Sequence, residues 1–161
     1  MPRDYDRYSA VQYAKNWWNG RNPAYYNFDA VGGDCTNFVS QCLYAGSGVM
    51  NYTRDTGWYY NSPSDRAAAW SGVEYLHRFL TSNKSNGPYA TERAVRLAQP
   101  GDIIQLSFDG ARFSHSLLVS EISPQILVCT HSDDSCDRPF STYMYRNARL
   151  LHIEGVRGIL N

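Results

Sequence analysis

Lysine is almost missing from this sequence: only 2 of its 15 basic residues are Lys, and the other 13 are Arg. Net charge is missing too, because 15 acidic residues balance them. A protein that binds nucleic acid by bulk charge needs a net basic surface to displace counterions. The balance therefore argues against a nucleic-acid partner and leaves room only for a local basic patch. No apolar run approaches the roughly 18 residues that a bilayer-spanning helix needs, so no integral membrane segment is expected. Met1 to Tyr8 lack the apolar core of a signal peptide. An extracellular or cell-wall location is expected if the chain is a domain of a secreted or phage-released protein. There is no C-x-x-C pair among Cys35, Cys42, Cys129 and Cys136, so a structural zinc site is not expected. Their spacing is not that of a disulfide scaffold either. No repeat, low-complexity tract or linker divides the chain, and 1–161 is expected to be one domain.

What the sequence does have is enough to fold. At 161 residues and 43% hydrophobic content it can bury a core without disulfides, and folding independent of disulfides is the expectation. Aromatics reach 14%, mainly through 13 Tyr, whose apolar ring and polar tip suit a binding cleft. The first half carries helical spacing. One stripe is Ala10, Tyr13, Ala14 and Trp17, over about 8–18. A second is Phe38, Val39, Cys42 and Leu43, over about 35–45, with Gly46 as the stop. A third helix is expected from Ser71, with Glu74 completing a capping box. The second half reads as strands: 102–106, 113–122, 126–131 and 149–153. The short Ser123-Pro124-Gln125 connection makes the middle two an antiparallel hairpin. Helices followed by an antiparallel sheet is an α+β pattern. The stretch from Ser47 to Asp65 reads as a long loop carrying Trp58-Tyr59-Tyr60, and loops of that length tend to be functional.

The sharpest chemical feature is Gly32-Gly33-Asp34-Cys35-Thr36-Asn37-Phe38. The glycines permit a tight turn, and Asp34 can act as N-cap. Cys35 then lies in the first turn of a helix, where free N–H groups favour a thiolate and can hold an oxyanion. The competing reading is a buried structural cysteine, which is also the reading for Cys42, Cys129 and Cys136. A base for Cys35 must come from elsewhere in the chain. His115 stands near the start of a strand, at the rim of the sheet. His131 ends the partner strand. Counting back from the turn places His115 opposite residue 134, within one or two positions. That brings His131, Asp133 and Asp134 within reach as the group that orients its ring. Alternation pairs His131 with Asp133 on one face and Ser132 with Asp134 on the other, so the choice depends on register. His77 and His152 read as structural.

Several of these runs together resemble the putative amidase domain of Gram-positive bacteria. They are Asp34-Cys35-Thr36-Asn37-Phe38-Val39-Ser40-Gln41-Cys42-Leu43, Gly57-Trp58-Tyr59-Tyr60, Trp70-Ser71-Gly72-Val73, Gln99-Pro100-Gly101-Asp102-Ile103-Ile104-Gln105, His115-Ser116-Leu117, and His131-Ser132 with Asp134. The resemblance covers nearly the whole chain. That family is similar to the NlpC-type peptidases and the cysteine, histidine-dependent amidohydrolases. It implies a papain-like α+β fold and cleavage of amide bonds, commonly in peptidoglycan. It also implies Cys35 as nucleophile, His115 as general base, and a polar third member for which His131 matches best and Asp134 is the rival.

The chemistry so implied is acyl transfer. His115 takes the Cys35 proton, or the two rest as an ion pair with a lowered thiol pKa, and the thiolate attacks an amide carbonyl. Asp34, Trp58, Tyr59, Tyr60 and Trp70 are expected at the substrate cleft. The substrate is a peptide or peptidoglycan, no cofactor or metal is called for, and a monomer is expected. Three other readings compete. One is a catalytically weak wall-peptide-binding module. Another is an acyltransferase or transglutaminase-like enzyme that resolves the thioester with an amine. The last is a metal site using Cys129 and His131, two apart on one strand face.

Overall fold

The computed structural model describes residues 1–160. It is α+β, with four helices and an antiparallel sheet. The helices are α1 (Arg7–Trp17), α2 (Cys35–Ser47), α3 (Ala68–Ser71) and α4 (Val73–Ser82). A small hairpin pairs β1 (Tyr60–Ser62) with β2 (Asp65–Arg66). The main strands are β3 (Gly87–Arg93), β4 (Ile103–Ser107), β5 (Phe113–Ile122), β6 (Ile126–Thr130), β7 (Ser135–Pro139) and β8 (Asn147–Arg157). They form one six-stranded sheet in the order β3-β8-β4-β5-β6-β7, antiparallel throughout. None of the described helices is long and apolar enough to cross a membrane.

The sheet is buried on both faces, and strand alternation decides which residue goes where. Ile103, Leu118, Cys129 and Leu151 point to the helical side and meet Phe38, Val39, Cys42 and Leu43 of α2. Ile104, Leu117, Val119, Val128 and Leu150 point the other way. There they are covered by Ala98, Phe140 and Tyr143 from the loops. Strand β4 has no exposed residue at all.

Four local expectations need correction. Helix α2 does not stop at Gly46; it runs to Ser47 and ends on Gly48 in the left-handed conformation (φ 67°). Gly46 serves close packing instead, since a Cβ there would lie 2.5 Å from the Tyr5 ring and 2.7 Å from the Asp6 carbonyl oxygen. The capping box at Ser71 does not form. Ser71 closes α3, Gly72 precedes α4, and Glu74 accepts from Arg149 Nη2 at 2.9 Å. The 47–65 stretch is not an open loop: Asn51 bridges to Trp58, and β1 begins at Tyr60.

The last correction concerns the cysteines. Cys129 and Cys136 form a disulfide across the β6–β7 hairpin, so the fold is not disulfide-free. Thr130 and Ser135 pair across the turn between them, which brings the flanking residues together. Cys42 stays free and fully buried in the core. With Cys129 bridged, its proposed chelation with His131 falls away.

Candidate active site

Cys35 is the first residue of α2 and stands one residue beyond a glycine turn. Gly32 and Gly33 have φ of 83° and 98°, which a side chain would strain. Asp34 occupies the N-cap position, yet its side chain does not cap the helix. It turns inward, fully buried, and accepts from the Phe28 N–H (2.8 Å), Asn37 Nδ2 (2.9 Å) and His131 Nδ1 (2.5 Å). Burial pushes the Asp34 carboxyl up, but these donors outweigh it and hold it below the ordinary range. The helix start is therefore anchored from beneath, and its own first N–H groups are left to other acceptors.

His115 lies on β5, with its neighbour Ser116 closing the gap to α2. Ser116 Oγ is 3.0 Å from Thr36 Oγ1. Cys35 and His115 line one cavity of about 620 Å³, together with Gly33, Phe108, Arg138 and Tyr143. This is the size of pocket that holds small ligands. It opens where β5 begins and β6 ends, the rim position expected of His115.

Both groups rest neutral. Burial pushes the Cys35 thiol above its ordinary range, against hydrogen bonds from Ser116 and Thr36 that pull it down. Burial pushes the His115 imidazole down to about 4, the Arg138 charge adds to this, and Asp133 partly opposes it. The expected lowering of the Cys35 thiol is thus reversed, because loss of water outweighs the helix terminus.

The residues named for the third role are placed elsewhere. The β5–β6 register shifts by one at a bulge near Ser120, so that Leu118 faces Cys129. Carried on, that register brings His115 opposite 132, where the pairing next to the turn would have given 133. Strand β6 ends at Thr130, and Ser132 and Asp133 turn through positive φ of 67° and 63°. Strand alternation therefore does not govern residues 131 to 134. His131 is buried against Phe38 (ring centroids 4.0 Å); its Nδ1 meets Asp34, and its Nε2 faces the Trp17 carbonyl oxygen at 2.8 Å. Asp134 takes both Arg21 Nη atoms at 3.0 Å. Among the described residues, neither hydrogen-bonds to His115. The polar atom next to its ring is Thr130 Oγ1, 3.5 Å from Nε2. Sequence reasoning missed Thr130; its side chain is short, and only the bulged register reveals its direction.

The expected aromatic cleft is not there. Trp58 and Trp70 are fully buried, with ring centroids 4.9 Å apart, and Tyr60 packs with them. Trp58 Nε1 donates to Ser40 Oγ and Trp70 Nε1 to Asn37 Oδ1, so their polar tips are satisfied inside α2's environment. Tyr59 packs at the edge of this core against Tyr52. These are core residues, and none lines the Cys35 cavity. His77 meets Glu92, and His152 donates to buried Asp102, in keeping with structural roles.

Comparison with known proteins adds the family. The family described as "Putative amidase domain" matches residues 4–153. A relative from Bacillus subtilis (strain 168), "Uncharacterized protein YhbB", is 38% identical over 118 residues, which is 71% of this chain. The match spans 37% of that relative's length. No solved structure matched the chain. With nearly its whole length matched, this chain belongs to the putative amidase domain family.

Proposed function

We propose that this domain is a thiol-dependent amide hydrolase of papain-like design, related to the NlpC-type peptidases. Its substrate would be a peptide of the kind found in peptidoglycan, on which it would act as a monomer. The observation that carries the reading is that Cys35 and His115 line one and the same cavity.

The resting pair is a neutral thiol and a neutral imidazole. As the Cys35 sulfur attacks the amide carbon, its proton passes to His115, and the carbonyl oxygen becomes an oxyanion. N–H groups of the first turn of α2, which have no partner within the helix, would hold that charge. His115 then gives the proton to the leaving nitrogen as the C–N bond breaks. Water, deprotonated by the same imidazole, cleaves the thioester and restores the thiol. Thr130 Oγ1 gives its own hydrogen to the Ser116 or His131 carbonyl, so beside Nε2 it can only accept, which favours the tautomer with the proton on Nε2 and leaves Nδ1 as the basic nitrogen. His131 acts one layer below, by holding Asp34 and hence the helix start. Mass spectrometry of purified muropeptides incubated with the protein tests the reading. Fragments with a newly cleaved amide, lost in Cys35→Ser and His115→Ala, are expected. Unchanged muropeptides would remove the wall-peptide substrate, and cleavage surviving Cys35→Ser would remove the mechanism.

A further inference from the structure

We infer that Arg138 is a carboxylate-recognition residue, so that the preferred substrate is a peptide with a free carboxylate close to the scissile amide. The inference rests on the hydrolase reading for the word substrate, but the site itself is argued from its own geometry. Arg138 projects from β7 into the cavity that Cys35 and His115 line. Its guanidinium is stacked on the Tyr143 ring at 3.8 Å from the centroid. Nε donates to Thr142 Oγ1 (2.8 Å) and Nη2 to the Thr142 carbonyl (3.3 Å). Its plane is therefore fixed before any ligand arrives, which lowers the ordering cost of binding. Among the described residues, Nη1 has no hydrogen bond. Its one ion-pair partner is Asp133, loosely placed at 3.9 Å, with a side chain 97% exposed. Exposed pairs of this kind are weak. A ligand carboxylate entering the cavity can displace Asp133 and take the free N–H of Nη1 in a charge-assisted hydrogen bond.

The position also couples binding to chemistry. Arg138 holds the His115 imidazole down, after burial itself. A bound carboxylate neutralises that influence, and His115 becomes the stronger base when such a substrate is present. A carboxylate-bearing peptide should thus gain in kcat as well as in KM.

Cys35 is itself the reporter for the test, because the other cysteines are bridged or fully buried. Chloroacetyl-glycine, -diglycine and -triglycine, each as free acid and as amide, are compared as saturable alkylators of Cys35. At the length that reaches Arg138 the acid should react at least about tenfold faster than the amide. Salt should erode that ratio. The ratio should fall to near one in Arg138→Met, recover in part in Arg138→Lys, and rise in Asp133→Asn. Equal rates for acid and amide at every length would overturn the inference, as would a preference that survives Arg138→Met in a protein of unchanged Tm. Calorimetry of acetylated tripeptides with Cys35→Ala gives the same comparison without chemistry. A carboxylate preference there, alongside uncut muropeptides, would uphold the Arg138 site and sink the wall-peptide reading. No preference in either assay, with muropeptides cut, would do the reverse.

Discussion

Replacing His115 by Gln should make the protein more resistant to acid. In the folded protein the imidazole takes up a proton only near about 4, because burial and Arg138 disfavour its charge; unfolded, it does so near 6.5. Above 6.5 both states carry a neutral ring, and His115 costs nothing. As pH falls from 6.5 toward 4 the unfolded chain binds a proton that the folded protein refuses, and stability drains away. Each pH unit across that window is worth about 1.4 kcal/mol, which gives about 3 kcal/mol at most. Gln has no proton to bind and keeps a similar size. Urea unfolding of both proteins from pH 7.5 to 4, under non-reducing conditions, isolates the effect, because all other titrating groups are shared. The wild type should lose up to about 3 kcal/mol more than His115→Gln across the window. Parallel curves would refute the claim that His115 is held neutral by its surroundings, and with it the neutral resting pair.

The raised thiol pKa makes a matching prediction for Cys35: the thiolate ultraviolet absorbance that is lost in Cys35→Ser should be missing at neutral pH and appear only on the alkaline side. A thiolate signal at pH 7 would mean an ion pair at rest. Cys35→Ser itself should change unfolding free energy by less than about 1 kcal/mol. Reduction of Cys129–Cys136 opens a short loop and should lower stability by about 2 kcal/mol, seen as a lower Tm in reductant; coincident melts would contradict the bridge. Thr130→Val keeps the shape but removes the oxygen beside His115. It should lower the hydrolysis rate about tenfold to a hundredfold and cost about 1–3 kcal/mol in unfolding, because the same hydroxyl donates to the Ser116 or His131 carbonyl. His131→Ala should act chiefly on stability, costing about 2–3 kcal/mol because it removes one of the donors to the buried Asp34 carboxylate and the ring packed on Phe38. A stable His131→Ala protein with a crippled rate would return His131 to the orienting role.

The sequence by itself determined the α+β class, the helix that begins at Cys35 and the β5–β6 hairpin. Each is written in local terms: a glycine turn before an apolar stripe at helical spacing, and alternating runs around a short turn. It also marked Cys35 and His115, since a cysteine at a helix start and a histidine at a strand start are visible one residue at a time. Tertiary structure decided the rest. The aromatics Trp58, Tyr60 and Trp70 look like a cleft in sequence, but whether a ring lines a cavity or a core depends on what packs over it, and here they pack on one another. The bulge near Ser120 moved the register by one residue and gave Thr130 the place beside His115; a slip of one residue changes every facing pair, and no local signal marks it. Asp34 carries a capping residue's signature but answers to a stronger partner, His131, brought from 97 positions away. The sign of the Cys35 shift was decided last of all, because burial in the finished fold outweighs the helix terminus that the sequence makes visible.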